Sequence, residues 1–504
     1  MLFDNSTINF LILGFGPHTK RIYHPLLELA AEDESVNLKA ALDVQAGEAK
    51  AREYLADKQV QPELHFIDCK EVTERQLSCR LTNLLNDIVH RHQINSVIIA
   101  TEPLVHFPYA KWALQKGLSV LMDKPISSYE NVANNLRKAR QVAADYYELN
   151  DCYLQSQKSH PRQMFSMMAQ RRHQTSFTIL KEKIEDCFKQ TNCPVTNFQT
   201  FHSDGQWRMP TEVVEQHYHP YNQGYGKCSH SGYHYFDIIP YVLESGLGGN
   251  KYYDNAEVFA NAVRPLDVLQ QFSLDDYRKL FGLKHFDKNN KYSSEELTFL
   301  MQNYGEVDCS SNISFRQGNK TLTNLSINLT HNGYSQRNWV SAIGRDLYKG
   351  NGRVSHESHI IQQGPFQNIH FHSYKSDHEH RKGDPIIGTK EHLEIYVFRN
   401  HKMLGGNHVE TFDISDLRQQ EGGNKGLSGK SKSKLYYEFI EGIRGNITRE
   451  EVKSDFSKHE AGALITSAVY QSICHAAQNE NPLVKTSLPL GMPLAVAEQL
   501  KHSA

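Results

Sequence analysis

Residues 94–127 read INSVIIATEPLVHFPYAKWALQKGLSVLMDKPIS, and their alternation decides the fold. An apolar run, Ser96–Thr101, gives way to a helical pattern over Pro108–Lys116 and then to a second apolar run, Ser119–Asp123. Two short strands joined through a helix pair in parallel by a right-handed crossover. The same alternation extends in both directions. Upstream lie a strand over Ile8–Gly14, a helix over Lys20–Glu32 with Ile22, Leu26, Leu27 and Ala30 on one face, strands over Val36–Leu42 and Glu63–Ile67, and a helix over Leu81–His92. Downstream, a helix over Tyr129–Leu149 and a strand over Cys152–Gln157 complete the series. Residues 1–160 therefore predict a Rossmann-type, doubly wound parallel sheet in an α/β protein.

Beyond residue 160 the texture changes. Val195–His202, Ser310–Phe315, Thr321–Leu329, His392–Arg399 and Val409–Ile414 read as strands of a large, open, mostly antiparallel sheet. The sequence thus predicts a second, α+β domain over residues 161–504. Asp267–Tyr304 is polar and helix-like, and stretches near 265–305 and 345–390 read as insertions. Residues 421–434 (EGGNKGLSGKSKSK) have a loop composition, and Ala461–Ala477 reads as a helix.

Composition narrows the function classes. With 504 residues, the chain exceeds what one core usually serves. Its 55 basic and 57 acidic residues nearly cancel, so no electrostatic partnership with nucleic acid or an anionic membrane is indicated. No apolar run is long enough to cross a bilayer. Eight scattered cysteines without a Cys-x-x-Cys pair fit reduced thiols, and the expected compartment is the cytoplasm.

The first strand runs into Gly14-Phe15-Gly16-Pro17-His18-Thr19 and then a helix. Two glycines there permit a tight turn and let a pyrophosphate approach the backbone at the positive end of a helix. Thr19 stands where the third glycine of G-x-G-x-x-G is usual. The second strand ends in Asp43, placed to accept hydrogen bonds from ribose hydroxyls; the competing reading is a helix N-cap. Val44 and Gln45 offer no arginine for a 2′-phosphate, which favours NAD over NADP.

Asp123-Lys124-Pro125 at the end of the opening stretch resembles the Glu-Lys-Pro hallmark of the Gfo/Idh/MocA oxidoreductase family. His106 and Arg21–Leu26 (RIYHPL) fit the same resemblance, and Gly232-Tyr233-His234-Tyr235-Phe236-Asp237 is similar to its Gly-x-His-x-x-Asp hallmark. Where many members carry an Asp four residues before that His, this chain has His230. YYEFIEGIRGN and the helix near Ala461–Ala477 are similar to the family's closing segment. The resemblance implies Gly14, Phe15, Gly16, Pro17, His18, Asp43, Thr101, His106, Asp123 and Lys124 around the cofactor. It implies catalytic roles for Lys124 and His234 and homodimers or homotetramers. It also suggests Arg172 and Asp237 near the substrate, although Gln155–His160 competes for the position of Arg172, and Asp237 equally suits a helix cap.

The chemistry agrees with those residue types. Oxidising a secondary alcohol requires a base, and histidine titrates near neutrality. A lysine just past the end of a parallel strand can stabilise a developing alkoxide. Taken alone, Lys124 also fits a surface ion pair and His234 a structural histidine. The segment 201–234 is dense in aromatic and polar groups, as carbohydrate sites are. Trp207, Arg208, His217 and His230 are the substrate candidates there, with Asp204, Glu212, His219 and Tyr225 beside them. His217-x-His219, His370-x-His372 and His378-x-His380 lack acidic or cysteine partners at a ligand spacing, so no metal is expected.

These observations predict an NAD-dependent dehydrogenase or reductase acting on CH–OH groups of a sugar, polyol or sugar-derived compound. Two alternatives share the fold: a redox-neutral enzyme of glycoside hydrolase or epimerase type that recycles its NAD, and a non-catalytic cofactor-binding protein.

Overall fold

The computed structural model describes residues 7–30, 35–217, 219–340, 352–376, 391–420 and 427–493. Its chain divides into two compact units. One comprises Met1–Tyr129, Val142–Gln174 and Lys425–Ala463; the other comprises Glu130–Gln141, Thr175–Asn424 and Leu464–Ala504.

The first unit is built on six strands: β1 (Ile8–Leu13), β2 (Val36–Val44), β3 (Glu63–Ile67), β4 (Ser96–Ile99), β5 (Ser119–Met122) and β6 (Phe165–Met167). They lie in the order β3-β2-β1-β4-β5-β6, and every neighbouring pair is parallel. All residues of β1, β4 and β5 are buried. Strands covered on both faces need nearly continuous apolar runs, which is what the sequence supplies. The order in which strands are added reverses between β1 and β4, and open α/β sheets bind ligands beyond the strand ends at such a switch point.

Helix Cys79–His92 shows how local sequence sets the covering layer. The Ser78 hydroxyl accepts the Leu81 amide at 3.0 Å, Leu81, Leu85 and Ile88 turn inward, and Gln93 closes the helix at φ +50°. Helix Leu427–Arg444 returns to this unit, where Leu435, Tyr436, Phe439 and Ile440 join Phe10 in one core cluster.

Two local expectations are corrected. Cys152–Gln157 is no strand but the end of helix Leu136–Gln157. Its buried Ala139, Val142, Tyr146, Leu149 and Tyr153 repeat at three and four residues, one uninterrupted helical stripe. The sixth strand comes later, at Phe165–Met167. Of the stretch expected to be a loop, 421–426 lies outside the described residues, whereas Leu427–Lys434 is helical. Packing of the apolar half that follows propagates the helix back through Gly and Ser against their intrinsic preference.

The second unit carries nine strands: β7 (Asn197–Ser203), β8 (Tyr253–Val263), β9 (Asp308–Gln317), β10 (Lys320–Thr330), β11 (Val354–Gln363), β12 (Gln367–Ser376), β13 (Glu391–Arg399), β14 (Val409–Asp413) and β15 (Val484–Leu490). Their order is β14-β13-β12-β11-β7-β10-β9-β8-β15. All pairs are antiparallel except β7 with β10. The fold is therefore the expected one, a Rossmann sheet followed by a large, mostly antiparallel sheet.

The stretch at 265–305 folds into helices Pro265–Gln271, Leu274–Phe281, Leu283–Asn289 and Ser294–Met301. Their apolar faces enclose a separate small core with Met209 and Tyr221. The stretch at 345–390 contributes the β11–β12 hairpin. No helix among the described residues is long and apolar enough to cross a membrane, and all eight cysteines are free thiols.

Candidate functional site

In the first unit the candidates gather where β1, β2, β4 and β5 end. Gly14 follows β1 with φ +92°, and a side chain there would meet the Ala100 carbonyl oxygen at 2.7 Å. Only glycine fits this turn. Gly16 is different, because a Cβ added to it meets nothing within 4 Å. The fold does not require glycine at that position, whereas a phosphate approaching the backbone does. Phe15 is buried against the rings of His24 and Tyr54. Pro17 opens helix Pro17–Arg21. Thr19, at the departed third glycine, is buried and donates its hydroxyl to the Gly14 carbonyl at 2.5 Å, which ties the turn to the helix it precedes.

Asp43 lies at the end of β2, with Oδ1 accepting the Val44 amide at 2.9 Å. The short helical turn after it, Gln45–Gly47, has Val44 as its N-cap, so the alternative of a capping Asp43 is set aside. Burial pushes its carboxyl up; the Val44 amide, Lys20 and the Phe15 amide oppose this. The Thr101 hydroxyl, past β4, is buried without a hydrogen-bond partner among the described residues.

Past β5, His18 and Asp123 bond to each other: His18 Nε2 lies 2.9 Å from Asp123 Oδ2, and Oδ1 accepts the Lys124 amide at 2.7 Å. Burial alone would raise the Asp123 pKa. The His18 charge and hydrogen bond, with Lys124 and His106, override it and hold the carboxylate well below its usual range. His106 is fully buried, its Nδ1 2.8 Å from the Pro125 carbonyl and its Nε2 3.0 Å from the Thr101 carbonyl. It clips together the two loops that carry Thr101 and Lys124. Arg172 is also buried. Its guanidinium donates to the carbonyls of Lys453 at 3.0 Å and Lys458 at 2.9 Å, closing a loop instead of lining an open surface.

In the second unit, Asp204 is the hub. It follows β7, and its amide donates to the Thr330 carbonyl at the end of β10 at 2.9 Å. Its buried carboxylate receives Lys227 Nζ at 2.5 Å, the Ser231 hydroxyl at 2.8 Å, His331 Nε2 at 3.1 Å and the Arg353 guanidinium. Lys227 Nζ also reaches His202 Nδ1 at 3.0 Å. Burial disfavours the Asp204 charge, but Lys227, Arg353 and His202 outweigh it and hold the carboxylate well below its ordinary value. Burial lowers Lys227, opposed by Asp204.

His230 lies in the π-helical turn Cys228–Gly232, directly before helix Tyr233–Leu243, which carries His234 and Asp237. The His230 ring stacks on His219 at 4.4 Å and on His331 at 5.8 Å. It therefore stands in an imidazole stack, and the carboxylate bonded to the neighbouring His331 is that of Asp204, just past β7, instead of one at the usual motif position. Asp237 is buried and His234 half-buried; His217 is exposed. Trp207 is covered by Tyr277, to whose hydroxyl its indole donates at 3.1 Å. Arg208 donates to Gln206 at 2.8 Å. Glu212 forms a two-pronged ion pair with the fully buried Arg337, at 2.5 and 2.6 Å.

Sequence reasoning passed over Lys227, His331 and Arg353. Lys227 had a legible signal, a lone charge five residues before the Gly232–Asp237 hallmark. His331 and Arg353 had none, because only the pairing of β10 and β11 with β7 brings them to Asp204. Among the described residues, no three His, Cys, Asp or Glu side chains are gathered as a metal site; His378 and His380 lie outside those residues.

Residues 8–147 match the sequence model of an oxidoreductase family with an NAD-binding Rossmann fold, GFO_IDH_MocA. No curated protein sequence matches the chain. Solved structures resemble it over nearly its full length. The WlbA dehydrogenase of Bordetella pertussis, in complex with NADH and UDP-GlcNAcA, is 13% identical with a TM-score of 0.54, covering 96% of this chain and 98% of its own. The aldose-aldose oxidoreductase of Caulobacter crescentus, complexed with glycerol, is 11% identical with a TM-score of 0.53, covering 96% and 100%. An oxidoreductase from Agrobacterium radiobacter in complex with NAD+, L-tartaric acid and magnesium is 9% identical with a TM-score of 0.53, covering 95% and 98%. At these identities the likeness establishes the fold.

Proposed function

We propose, for a chain whose residues 8–147 belong to the Gfo/Idh/MocA family of NAD-binding oxidoreductases, that it is an NAD-dependent enzyme. It transfers a hydride between the nicotinamide and a hydroxyl or carbonyl carbon of a sugar, polyol or sugar-derived compound. The observation that carries this reading is the open face of Gly16, set between Gly14 and the helix opening at Pro17, with the Asp43 carboxylate at the neighbouring strand end. Ligands carried by proteins of similar fold, NADH with a nucleotide sugar and glycerol among them, support the same class.

In this reading residues 1–160 hold the cofactor and residues 161–504 the substrate. Backbone amides of Gly14–His18 bind the pyrophosphate, and Asp43 accepts from the ribose hydroxyls. Val44 and Gln45 supply no cation for a 2′-phosphate, so NAD is preferred over NADP. Bound NAD supplies the hydride acceptor. The Lys124 ammonium hydrogen-bonds the reacting oxygen and stabilises negative charge there, while an imidazole nitrogen of His234 takes the hydroxyl proton. His18, Asp123 and His106 act on this chemistry by fixing the loop that bears Lys124. A homodimer or homotetramer in the cytoplasm completes the proposal.

The test is a fluorescence titration of the purified protein with NAD and NADP, followed by a sugar and polyol panel read by NADH absorbance. Micromolar NAD binding with NADH accumulating on one substrate is the expected result. Binding without accumulation on a consumed substrate transfers the proposal to the redox-neutral alternative, and failure to bind either cofactor overturns it.

A further inference from the structure

Gly47 ends the short turn Gln45–Gly47 that follows Asp43 and stands as N-cap of helix Glu48–Leu55. Its backbone, at φ −86° and ψ −12°, is the conformation of the third residue of a common β-turn, which residues with side chains adopt freely. Nor does the cap call for glycine, since serine, asparagine and aspartate cap helices at least as well. What glycine avoids is Asp43. A Cβ at position 47 would lie 2.7 Å from Asp43 Oδ2 and 3.2 Å from its Cγ, closer than a Cβ and a carboxylate approach.

Of the two sides of that clash, the helix is the stiff one. Ala51 and Leu55 are buried in the core of this unit. The Tyr54 hydroxyl donates to the Lys20 carbonyl at 2.8 Å, and Lys20 Nζ donates to the Lys50 carbonyl at 2.7 Å. Helix Glu48–Leu55 is thereby clamped to the helix that opens at Pro17. Asp43 is only half-buried, and its carboxylate is held by the Val44 amide at Oδ1 while Oδ2 lies over Gly47. A side chain at position 47 therefore displaces the carboxylate and leaves the backbone where it is.

We propose that Gly47 is a positioning residue for the cofactor: it leaves room for the Asp43 carboxylate beside the turn and, through that carboxylate, sets the preference for NAD over NADP. The inference rests on the NAD-binding reading given above, and adds to it a residue that acts through Asp43. Lys20 faces Asp43 and favours its charged, acceptor-only form against burial. Ribose hydroxyls have protons to give such an acceptor. A 2′-phosphate has none and is repelled by its charge, so NADP gains nothing from a carboxylate held in this place. Gly16 and Gly47 thus divide the work of the site, one keeping backbone open to the pyrophosphate and the other keeping a side chain in position.

The experiment titrates the purified full chain with NAD and with NADP, read by fluorescence, in the parent, Gly47→Ala, Asp43→Ala and the double variant. Gly47→Ala should melt within about two degrees of the parent. It should bind NAD about tenfold more weakly, the worth of a hydrogen bond to a charged group, and NADP within about threefold of the parent. In the Asp43→Ala background no carboxylate remains to be displaced, so adding Gly47→Ala should change NAD affinity less than about twofold. Unchanged NAD affinity in Gly47→Ala, an equal loss of NAD and NADP, or a tenfold loss that persists without Asp43 overturns the assignment. Failure of the parent to bind NAD overturns the cofactor reading itself, and this inference with it.

Discussion

The imidazole of His18 and the carboxylate of Asp123 meet at 2.9 Å, so the helix entered from the glycine turn is bonded to the strand end that presents Lys124. Both residues read from the sequence as cofactor contacts, and the structure joins them to each other. Because Asp123 is buried and its pKa is depressed by His18, Lys124 and His106 against burial, its contribution is a charged-state one. A depressed carboxylate stabilises the fold above its unfolded pKa of about 4, and that contribution fades as pH falls further. Asp123→Asn should cost about 3 kcal/mol at pH 7. The deficit against the parent protein, followed by urea unfolding, should hold down to pH 5 and shrink below pH 4; a deficit independent of pH would remove the ion pair as its cause.

The two glycines of the turn should separate stability from binding. Gly14→Ala forces a side chain into the left-handed region and against the Ala100 carbonyl. A loss of at least about 1–2 kcal/mol is expected from the backbone alone. Gly16→Ala points a methyl into open space at φ −77°. It should leave the melting temperature within a degree or two while weakening NAD by roughly tenfold, about 1.4 kcal/mol. Equal NAD affinity in Gly16→Ala and the parent would take the pyrophosphate away from this turn.

Glu212 and Arg337 test the small helical core. The pair is buried and two-pronged, so Glu212→Gln or Arg337→Met leaves an unpaired charge or donor and should cost about 3–5 kcal/mol. Replacing both with Leu and Met should recover most of that loss, because the desolvation cost of the pair disappears with it. Denaturant midpoints of the two single variants and the double variant decide the matter.

Lys124→Ala and His234→Ala should each lower kcat/KM by at least about a hundredfold on the substrate identified by the panel, with NAD affinity within about threefold of the parent. The two effects separate by pH. His234→Ala removes the group assigned as the base, so the acid limb of the parent's kcat/KM profile should vanish in that variant. Retention of full turnover in either protein would withdraw the role given to that residue.

Local chemistry made the Rossmann half legible. Buried parallel strands must be apolar along their length, a tight turn after the first strand calls for glycine, and the resemblance expects an acid at the end of the second strand. All three constraints act within a few residues, and Ile8–Leu13, Gly14, Gly16 and Asp43 display them without reference to the rest of the chain. The misread strand at Cys152–Gln157 failed for the opposite reason. Six residues are too short a window to reveal the 3.6-residue period that Ala139, Val142, Tyr146, Leu149 and Tyr153 establish together.

By itself, then, the sequence determined the alternation of strands and helices, the position of the glycine turn after the first strand and the two hallmarks that carry Lys124 and His234. Tertiary structure alone decided which polar side chains meet. Asp204 and His331 are 127 positions apart and share no motif, and only the parallel pairing of β7 with β10 sets one beside the other. Sequence spacing governs contacts within a helix or a strand. Contacts across a sheet depend on strand order and register, which residue types at single positions do not specify.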